Sequence, residues 1–219
     1  MKALVVEDEG LARSFLQKAL EDAFSFQEVV AAKDGREAWE ICKNDESFQF
    51  FIIDLVLPGL DGIKLGRKII EERKGASARI LAVSSECDDF TVKEAVRAGV
   101  LGCIDKPGLT EDVLFEAVET VLEGKVYYSV AVRAVMRRLA EDPEAYFKVL
   151  SDRELEVLRL IAQGMDQDQV GEALGVSPFT ARRHRLNISA KLNRKNESQL
   201  IHYALEKGIV KHKSGLDWT

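Results

Sequence analysis

A short apolar run, Phe50 to Ile53, ends in a carboxylate, Asp54, and the loop-forming residues Pro58 and Gly59 follow. An apolar run of this length, bounded by turn residues, is typical of a strand buried within a parallel sheet. Ligands of open parallel sheets bind outside the carboxyl ends of the strands, so Asp54 lies where chemistry is expected. This run therefore predicts both a fold class and the edge of the sheet that carries a site.

A second predicted strand, Lys2 to Val6, ends in three acidic residues, Glu7, Asp8 and Glu9. If the two strands are parallel, these carboxylates share one sheet edge with Asp54. Two like charges about 4 Å apart repel by roughly 1 to 4 kcal/mol at effective dielectric constants of about 80 to 20. The cluster therefore requires raised pKa values or a divalent cation. Mg²⁺ fits because it takes one or two carboxylates, waters and a phosphate oxygen.

Apolar runs and segments of helical spacing alternate over residues 1–124, which gives five β-α units. The predicted strands are Ala3–Val6, Glu28–Ala31, Phe50–Asp54, Arg79–Ser84 and Gly102–Asp105. This alternation predicts an α/β, doubly wound, five-stranded parallel sheet with helices on both faces and right-handed crossovers. Ser84 and Lys106 come at the ends of the last two strands, so both are expected beside the carboxylates.

Charge divides the 219 residues into two predicted domains. Residues 1–124 contain 15 Lys/Arg and 25 Asp/Glu, whereas residues 125–219 contain 16 and 12, so the second half is expected to meet a polyanion. The three cysteines match no metal-binding spacing and indicate reduced thiols. No leader peptide and no apolar run of about 20 residues is recognisable, which predicts a cytoplasmic protein without a membrane partner.

The first half resembles the receiver domain of two-component response regulators. The resemblance rests on Glu7-Asp8, Asp54 with Pro58 and Gly62 behind it, Ser84, and Lys106-Pro107. It implies a flavodoxin-like fold with strand order 2-1-3-4-5. It also implies that Asp54 accepts a phosphoryl group from the phosphohistidine of a partner histidine kinase. By the same resemblance, Mg²⁺ is bound by Glu7, Asp8, Asp54 and the backbone carbonyl of Val56, while Lys106 and Ser84 contact the phosphoryl oxygens.

Two positions depart from a family pattern. Receiver domains usually carry an aromatic switch residue three positions before the lysine, where this chain has Cys103. Cys103 is interpreted as a buried core thiol rather than a redox sensor, since no cation-rich neighbourhood is recognisable apart from Lys106.

Haloacid-dehalogenase-type phosphatases also place an aspartyl nucleophile after a buried strand. They need a second Asp two residues later, where this chain has Val56.

Residues 125–149 are predicted to form a helical linker, because Val132, Val135, Met136 and Leu139 recur at helical spacing before Pro143. It is either a packed connector or a relay or dimer element. Four helices are predicted from residue 150 onward. Ser151 to Glu154 is a capping box, Gly175 makes a turn, and Ser177-Pro178 starts the next helix with an N-cap and a proline at its first position. A helix, a short turn with glycine and a second helix form a helix-turn-helix.

Residues 150–210 resemble the LuxR-type helix-turn-helix of NarL/FixJ-type response regulators. The resemblance rests on Leu150 to Glu154, Gly164, Leu174 to Ser177 and Thr180 to His184. It implies a recognition helix, Pro178 to Leu192, on double-stranded promoter DNA. The residues nearest base edges would be Arg182, Arg183 and Leu186, and those near phosphates Thr180, His184, Arg185 and Lys191. Asp168 stands where the family commonly has a basic residue. The helix Ser198 to Lys207 is a candidate for homodimerisation as well as for core packing.

The favoured interpretation is a phosphorylation-controlled transcription factor with domains at residues 1–124 and 150–219 and a linker at 125–149. It is not an enzyme beyond assisting its own phosphoryl transfer and dephosphorylation. A phosphate-independent DNA-binding regulator, whose first domain serves only for docking, is the alternative. An aspartyl-phosphate phosphatase is less favoured because of Val56.

Overall fold

The computed structural model describes residues 1–58, 60–73 and 78–210. It has two compact units, one made of Met1–Cys87 and Thr91–Met136, the other of Asp88–Phe90 and the chain from Arg137 onward. Gly59, one of the predicted loop residues, lies outside the described residues, and so do residues 211–219. Among the described residues, no helix is both long and apolar enough to cross a membrane.

The first unit is a parallel sheet with helical crossovers. Its strands are β1 (Lys2–Val6), β2 (Val29–Ala32), β3 (Phe48–Asp54), β4 (Arg79–Ser84), β5 (Gly102–Asp105) and β6 (Tyr127–Tyr128). Its helices are α1 (Gly10–Ala23), α2 (Gly35–Asn44), α3 (Gly62–Glu72), α4 (Asp89–Arg97, whose start belongs to the second unit) and α5 (Glu111–Leu122). The strand order is β2-β1-β3-β4-β5-β6, and every neighbouring pair is parallel. The predicted fold class and the order 2-1-3-4-5 are therefore confirmed.

Both faces of the sheet are covered, as the continuous apolar strands predict. Alternate strand residues such as Val5 and Ile52 pack in one core with residues of α1 and α5. Their neighbours Val6 and Ile53, which point to the opposite face, are also fully buried. On that side α2 and α3 pack against each other and against β1 and β3. Burial on both faces leaves the strand ends as the sites for polar groups.

A sixth strand, β6, lies where the sequence predicts the start of a helical linker. The Tyr127 N–H donates to the Leu101 carbonyl at 3.0 Å, and the Ser129 N–H donates to the Cys103 carbonyl at 3.0 Å. These bonds pair the otherwise open edge of β5, and an unpaired strand edge is a liability in a folded protein. The predicted five-stranded sheet is thus extended by two residues, and helix α6 (Val130–Glu141) begins after it.

Gly62, the first residue of α3, packs directly against the end of β3. A Cβ atom there would overlap the carbonyl oxygen of Asp54 and lie 2.8 Å from the Cα of Leu55. We expect Gly62→Ala to lower the free energy of unfolding by about 1 to 3 kcal/mol, because backbone atoms cannot yield as a flexible side chain can. Urea denaturation followed by circular dichroism measures this change.

Gly66, one turn further along α3, provides the matched control. A Cβ atom at Gly66 would lie 3.6 Å from the Ile80 Cδ1, which is an ordinary contact. Alanine is favoured over glycine by roughly 1 kcal/mol inside a helix, so Gly66→Ala should be neutral or stabilising. Equal unfolding midpoints for the two variants would contradict the close contact at Gly62.

The second unit is helical. Its helices are α6 from Arg137 onward, α7 (Tyr146–Val149), α8 (Asp152–Ala162), α9 (Gln167–Leu174), α10 (Pro178–Lys191) and α11 (Glu197–Glu206). Ser151 and Glu154 form the predicted capping box of α8, and Gly175 ends α9 in the left-handed region at φ +65°. Ser177 then caps α10 by accepting from the Thr180 N–H. The turn between α9 and α10 is therefore as short as a helix-turn-helix requires.

Candidate functional site

Three carboxylates lie together at the carboxyl edge of the sheet. Glu7 and Asp8 follow β1, Asp54 ends β3, and these two strands are neighbours. One carboxylate oxygen from each of the three residues lies within 4.8 Å of the others. Glu7 and Asp54 are 0% and 2% exposed, whereas Asp8 is exposed. The structure therefore brings the three predicted acids into one cluster that opens to solvent on the Asp8 side.

Lys106 places a cation in this cluster from the end of β5. Its Nζ donates to the Glu7 Oε1 at 2.9 Å and to the Asp54 Oδ2 at 2.8 Å. The residue starts a short 3-10 turn, Lys106–Gly108, which the Asp105 side chain caps. The amine is thus fixed between two buried carboxylates by the backbone at the strand end.

Burial controls the protonation of these groups. It raises the pKa of Glu7 and of Asp54, and hydrogen bonds from Lys106 offset this only in part. For Lys106, burial acts in the opposite direction, but the bonds to Asp54 and Glu7 outweigh it and raise the pKa of the amine. One ammonium therefore faces two carboxylates whose charge it does not fully compensate, with Asp8 beside them.

The cluster has the donor set of a hard divalent cation. Among the described residues, the buried Glu7 Oε2 has no hydrogen-bond partner. An unsatisfied carboxylate oxygen in a buried site carries a desolvation cost that a cation would remove. The Asp54 Oδ1 accepts from the Val56 N–H at 2.8 Å, which holds the predicted ligand Val56 next to the cluster. Oxygen donors alone, from three carboxylates with one open side, suit a hard cation such as Mg²⁺.

Helix α10 carries the predicted recognition residues on its exposed and partly exposed surface. Arg182, Arg183 and Leu186 are exposed, and Leu186 retains 54% of its surface although it is apolar. His184 and Arg185 are half-buried. The predicted base-reading residues therefore all lie exposed on this helix.

Two of the residues predicted to contact phosphates have partners inside the helical unit. The Lys191 Nζ donates to the Glu154 Oε2 at 2.7 Å, and the Thr180 hydroxyl lies 2.8 Å from the Ser177 hydroxyl. Burial alone would raise the pKa of Glu154, but hydrogen bonds from Lys191 and Ser151 hold that pKa below its usual range. Lys191 thus stabilises the capping box of α8, a role that the sequence did not predict.

Comparisons with known families agree with this geometry. Residues 3–119 match the model of the response regulator receiver domain. The chain is a response regulator. Residues 148–204 match the model of bacterial regulatory proteins of the luxR family, so this response regulator is of the NarL/FixJ type. The family is one of transcription regulators.

Relatives extend over nearly the whole chain. Oxygen regulatory protein NreC of Staphylococcus carnosus is 30% identical over 219 residues, covering 96% of this chain and 99% of NreC. Response regulator UvrY of Escherichia coli K12 is 26% identical over 212 residues, covering 95% of each chain. The structure of RcsB from Salmonella enterica serovar Typhimurium, bound to promoter rprA in the presence of phosphomimetic BeF₃⁻, superposes with a TM-score of 0.62. It is 23% identical and covers 93% of this chain and 97% of RcsB, which supports the fold alone.

Two predicted switch residues of this response regulator have other partners in the structure. The Ser84 hydroxyl donates to the Glu86 carbonyl at 2.8 Å and accepts from the Glu86 N–H at 3.2 Å. The Ser84 hydroxyl is therefore engaged by the backbone of Glu86. Cys103 is 1% exposed on β5, and the neighbouring Cys87 thiol, together with burial, raises the pKa of the Cys103 thiol.

Sequence reasoning missed three residues at these sites. Arg13 donates from Nη1 to the Glu7 and Asp8 carbonyls at 2.9 and 3.1 Å and so fixes the loop after β1. Phe179, in the first turn of α10, is 77% exposed, which is unusual for a phenylalanine. Cys87 was grouped with the other thiols only by type. Phe179 could have been recognised from the sequence, as an aromatic residue at the start of a basic helix. The roles of Arg13 and Cys87 depend on the paths of loops.

Proposed function

We propose that Asp54 accepts a phosphoryl group from the phosphohistidine of a partner histidine kinase, and that this controls sequence-specific binding of α10 to promoter DNA. One observation carries the proposal: Asp54, Glu7, Asp8 and Lys106 converge at the end of β3. The receiver would span residues 1–124, the linker 125–149 and the DNA-binding domain 150–219. The matched ranges 3–119 and 148–204 support this division. The proposed location is the cytoplasm, where a kinase and promoters are both accessible.

In the transfer, a carboxylate oxygen of Asp54 attacks the phosphorus as the bond from phosphorus to the histidine nitrogen breaks. The leaving imidazole takes a proton, and Asp54 becomes an acyl phosphate. Lys106 already lies 2.8 Å from this carboxylate, so its amine neutralises charge on the transferring group without reorganisation. Such reactions depend on positioning and charge stabilisation more than on acid-base chemistry. The same arrangement would let the receiver assist its own dephosphorylation by water.

Glu7, Asp8, Asp54 and the Val56 carbonyl would hold Mg²⁺, which would supply further neutralisation of the phosphoryl charge. Phosphoryl uptake from a small phosphodonor tests this requirement by intact mass. We expect uptake with Mg²⁺ and none with a chelator. Equal uptake with Mg²⁺ and with the chelator contradicts the proposal, and so does a lack of uptake in both conditions.

The switch would run through Ser84. The new phosphoryl dianion would compete with the Glu86 carbonyl for the Ser84 hydroxyl. A hydrogen bond to a charged group contributes about 1.5 to 3 kcal/mol, which corresponds to one or two powers of ten in a two-state equilibrium. Moving this hydroxyl would rearrange the loop after β4 and bias the receiver toward its active form.

On the DNA side, Arg182 and Arg183 would read base edges in the major groove, because a guanidinium matches guanine O6 and N7 in two bonds. Leu186 and Phe179 would offer apolar contacts to thymine methyl groups. A pair of such helices, supplied by a homodimer, would read two half-sites about one helical turn apart. Thr180, His184, Arg185 and Lys191 would contact phosphates, and for Thr180 and Lys191 this contact would compete with their bonds to Ser177 and Glu154.

The docking-only alternative is favoured by two observations: Ser84 is engaged with Glu86, and Cys103 replaces the usual aromatic. It predicts DNA binding that ignores phosphorylation. The phosphatase alternative is weaker, because the Val56 N–H contacts Asp54 where that class requires a carboxylic acid.

Mg²⁺ binding should depend on pH. Because the folded pKa values of Glu7 and Asp54 are raised, the metal-free site contributes most stability below the unfolded carboxyl pKa and loses it as pH rises through the folded pKa. Mg²⁺ binds the ionised carboxylates. The rise in the protein's Tm on adding Mg²⁺ should therefore be largest near neutral pH and should vanish on acidification.

Thermal unfolding of the full chain with and without Mg²⁺, over a pH series, measures this effect. Glu7→Gln keeps the side-chain shape and removes one charge, so it should lose most of the increase. Glu21→Gln, on the exposed surface of α1, is the control and should retain it. A pH-independent increase, or one that survives in Glu7→Gln, argues against a cation at this cluster.

A further inference from the structure

Helix α10 carries apolar side chains on its exposed face as well as on its packed face. Ala181 and Ile188 are buried in the helical unit. Phe179 and Leu186 lie on the other side of the helix and keep 77% and 54% of their surface exposed. A surface helix normally presents polar residues to solvent. Two large, exposed apolar side chains on one face of one helix therefore indicate a binding surface.

The two exposed apolar residues have two arginines between them. Phe179, Arg182, Arg183 and Leu186 follow one another at positions i, i+3, i+4 and i+7, so they share one face of the helix. All four are exposed. At a rise of about 1.5 Å per residue, Phe179 and Leu186 lie roughly 10 Å apart along the helix axis. The face thus has an apolar group near each end and guanidinium groups in the middle.

The start of α10 holds the backbone of Phe179 in a fixed place. The Ser177 hydroxyl accepts from the Thr180 N–H at 3.1 Å. The turn before the helix is packed closely against α9, since a Cβ atom at Gly171 would lie 2.8 Å from the Val176 carbonyl oxygen. A phenyl ring has only two side-chain torsions, so on a fixed backbone it loses little conformational entropy when it binds a partner.

The charge of this face favours one kind of partner. Residues 177–195 contain six Lys/Arg and no Asp or Glu. A second copy of this chain on the same face would bring its own two arginines against Arg182 and Arg183, and like charges in contact are unfavourable. DNA meets no such repulsion. Of the four bases in its major groove, thymine alone presents a methyl group, which an apolar side chain can contact.

We propose that Phe179 and Leu186 each cover a thymine methyl group, so that one α10 helix reads G·C pairs that lie between two A·T pairs. This inference deepens the proposed function and rests on it. Base pairs are about 3.4 Å apart, so roughly 10 Å along a helix that follows the groove corresponds to about three base-pair steps between the two thymines. Arg182 and Arg183 lie over the pairs between them, where a guanidinium binds guanine O6 and N7.

The test uses deoxyuridine, which lacks only the methyl group of thymine. Full-length protein is bound to a duplex taken from a genome-wide map of its bound sites, and each thymine of that duplex is replaced in turn. In the wild type, replacement at two positions of each half-site should lower affinity roughly fourfold, the effect of one buried methylene group. Phe179→Ala should abolish the deoxyuridine effect at one of these positions, and Leu186→Ala at the other.

Leu11→Ala, a change at a 92% exposed leucine of α1, is the matched control and should keep both deoxyuridine effects. Equal effects in the wild type and in both α10 variants, or no effect at any thymine in the wild type, overturn the inference. Sedimentation of the variants without DNA is the second measurement. If Phe179→Ala and Leu186→Ala dissociate a wild-type dimer, a second copy covers this face, and the inference is again overturned.

Failure of this inference is distinguishable from failure of the proposed function. Each affinity is measured with and without phosphodonor treatment of the protein. If the wild type binds its duplex equally in both states, phosphorylation does not control DNA binding, and the thymine result still stands by itself. If phosphorylation controls binding but deoxyuridine has no effect, the proposed function stands and the thymine contacts are wrong.

Discussion

An Asp54→Asn variant should take up no phosphoryl group from a small phosphodonor with Mg²⁺, whereas the wild type gains one. The amide lacks the ionised oxygen that attacks phosphorus, and it cannot accept the Lys106 hydrogen bond as a charged partner. Among the carboxylates of the cluster, Asp54 alone ends a buried strand and bonds to both Lys106 and the Val56 N–H. Intact mass of the denatured protein, taken directly after the reaction, measures the uptake.

The control for this loss is Asp112→Asn, an identical change at an exposed residue in the first turn of α5. It should take up phosphoryl groups as the wild type does. If Asp54→Asn takes up phosphoryl groups to the wild-type extent, another carboxylate is the acceptor, and Asp8 would be the first to test.

Replacing Arg182 or Arg183 with alanine should relax base discrimination at one position of the DNA site by about 1 to 3 kcal/mol. Both side chains are exposed on α10. A base contact penalises one sequence, whereas a phosphate contact weakens all sequences alike and lowers the salt slope by about one unit. Binding of each variant to a set of single-base-pair variants of the site, at several salt concentrations, separates the two roles.

Lys195→Ala is a suitable comparison, because Lys195 is an exposed basic residue beyond the end of α10. It should change affinity without changing base preference. Lys191 is unsuitable, since its loss would leave the buried Glu154 without its ammonium partner and destabilise the domain. If both arginine variants lose affinity equally on every sequence, neither arginine reads a base.

Strand-end residues could be predicted from the sequence because the alternation of apolar runs and helical segments shows where each strand of a parallel sheet ends. Each apolar run fixes where a strand ends, and neighbouring parallel strands end at the same edge. Glu7, Asp54 and Lys106 therefore come together in the structure although they are far apart in sequence. The caps at Ser151 and Ser177 follow from local hydrogen bonds and were equally predictable.

Contacts that depend on the path of a loop or on helix packing could not be predicted in this way. The two residues of β6 are too few to show a periodic pattern, so the sequence analysis assigned them to the linker. The effect of Cys87 on the pKa of Cys103 depends on the path of the loop after β4. The bond from Lys191 to Glu154 requires α8 and α10 to pack side by side. None of these leaves a signal at a fixed spacing along the chain.

Control of DNA binding by Asp54 is tested most directly by one affinity measurement on the full-length protein. The DNA fragment is taken from a genome-wide map of bound sites, and the salt concentration is held constant. We expect phosphorylation to tighten DNA binding of the wild type by roughly one or two powers of ten and to leave the binding of Asp54→Asn unchanged. Equal affinity for phosphorylated and unphosphorylated wild type would contradict it.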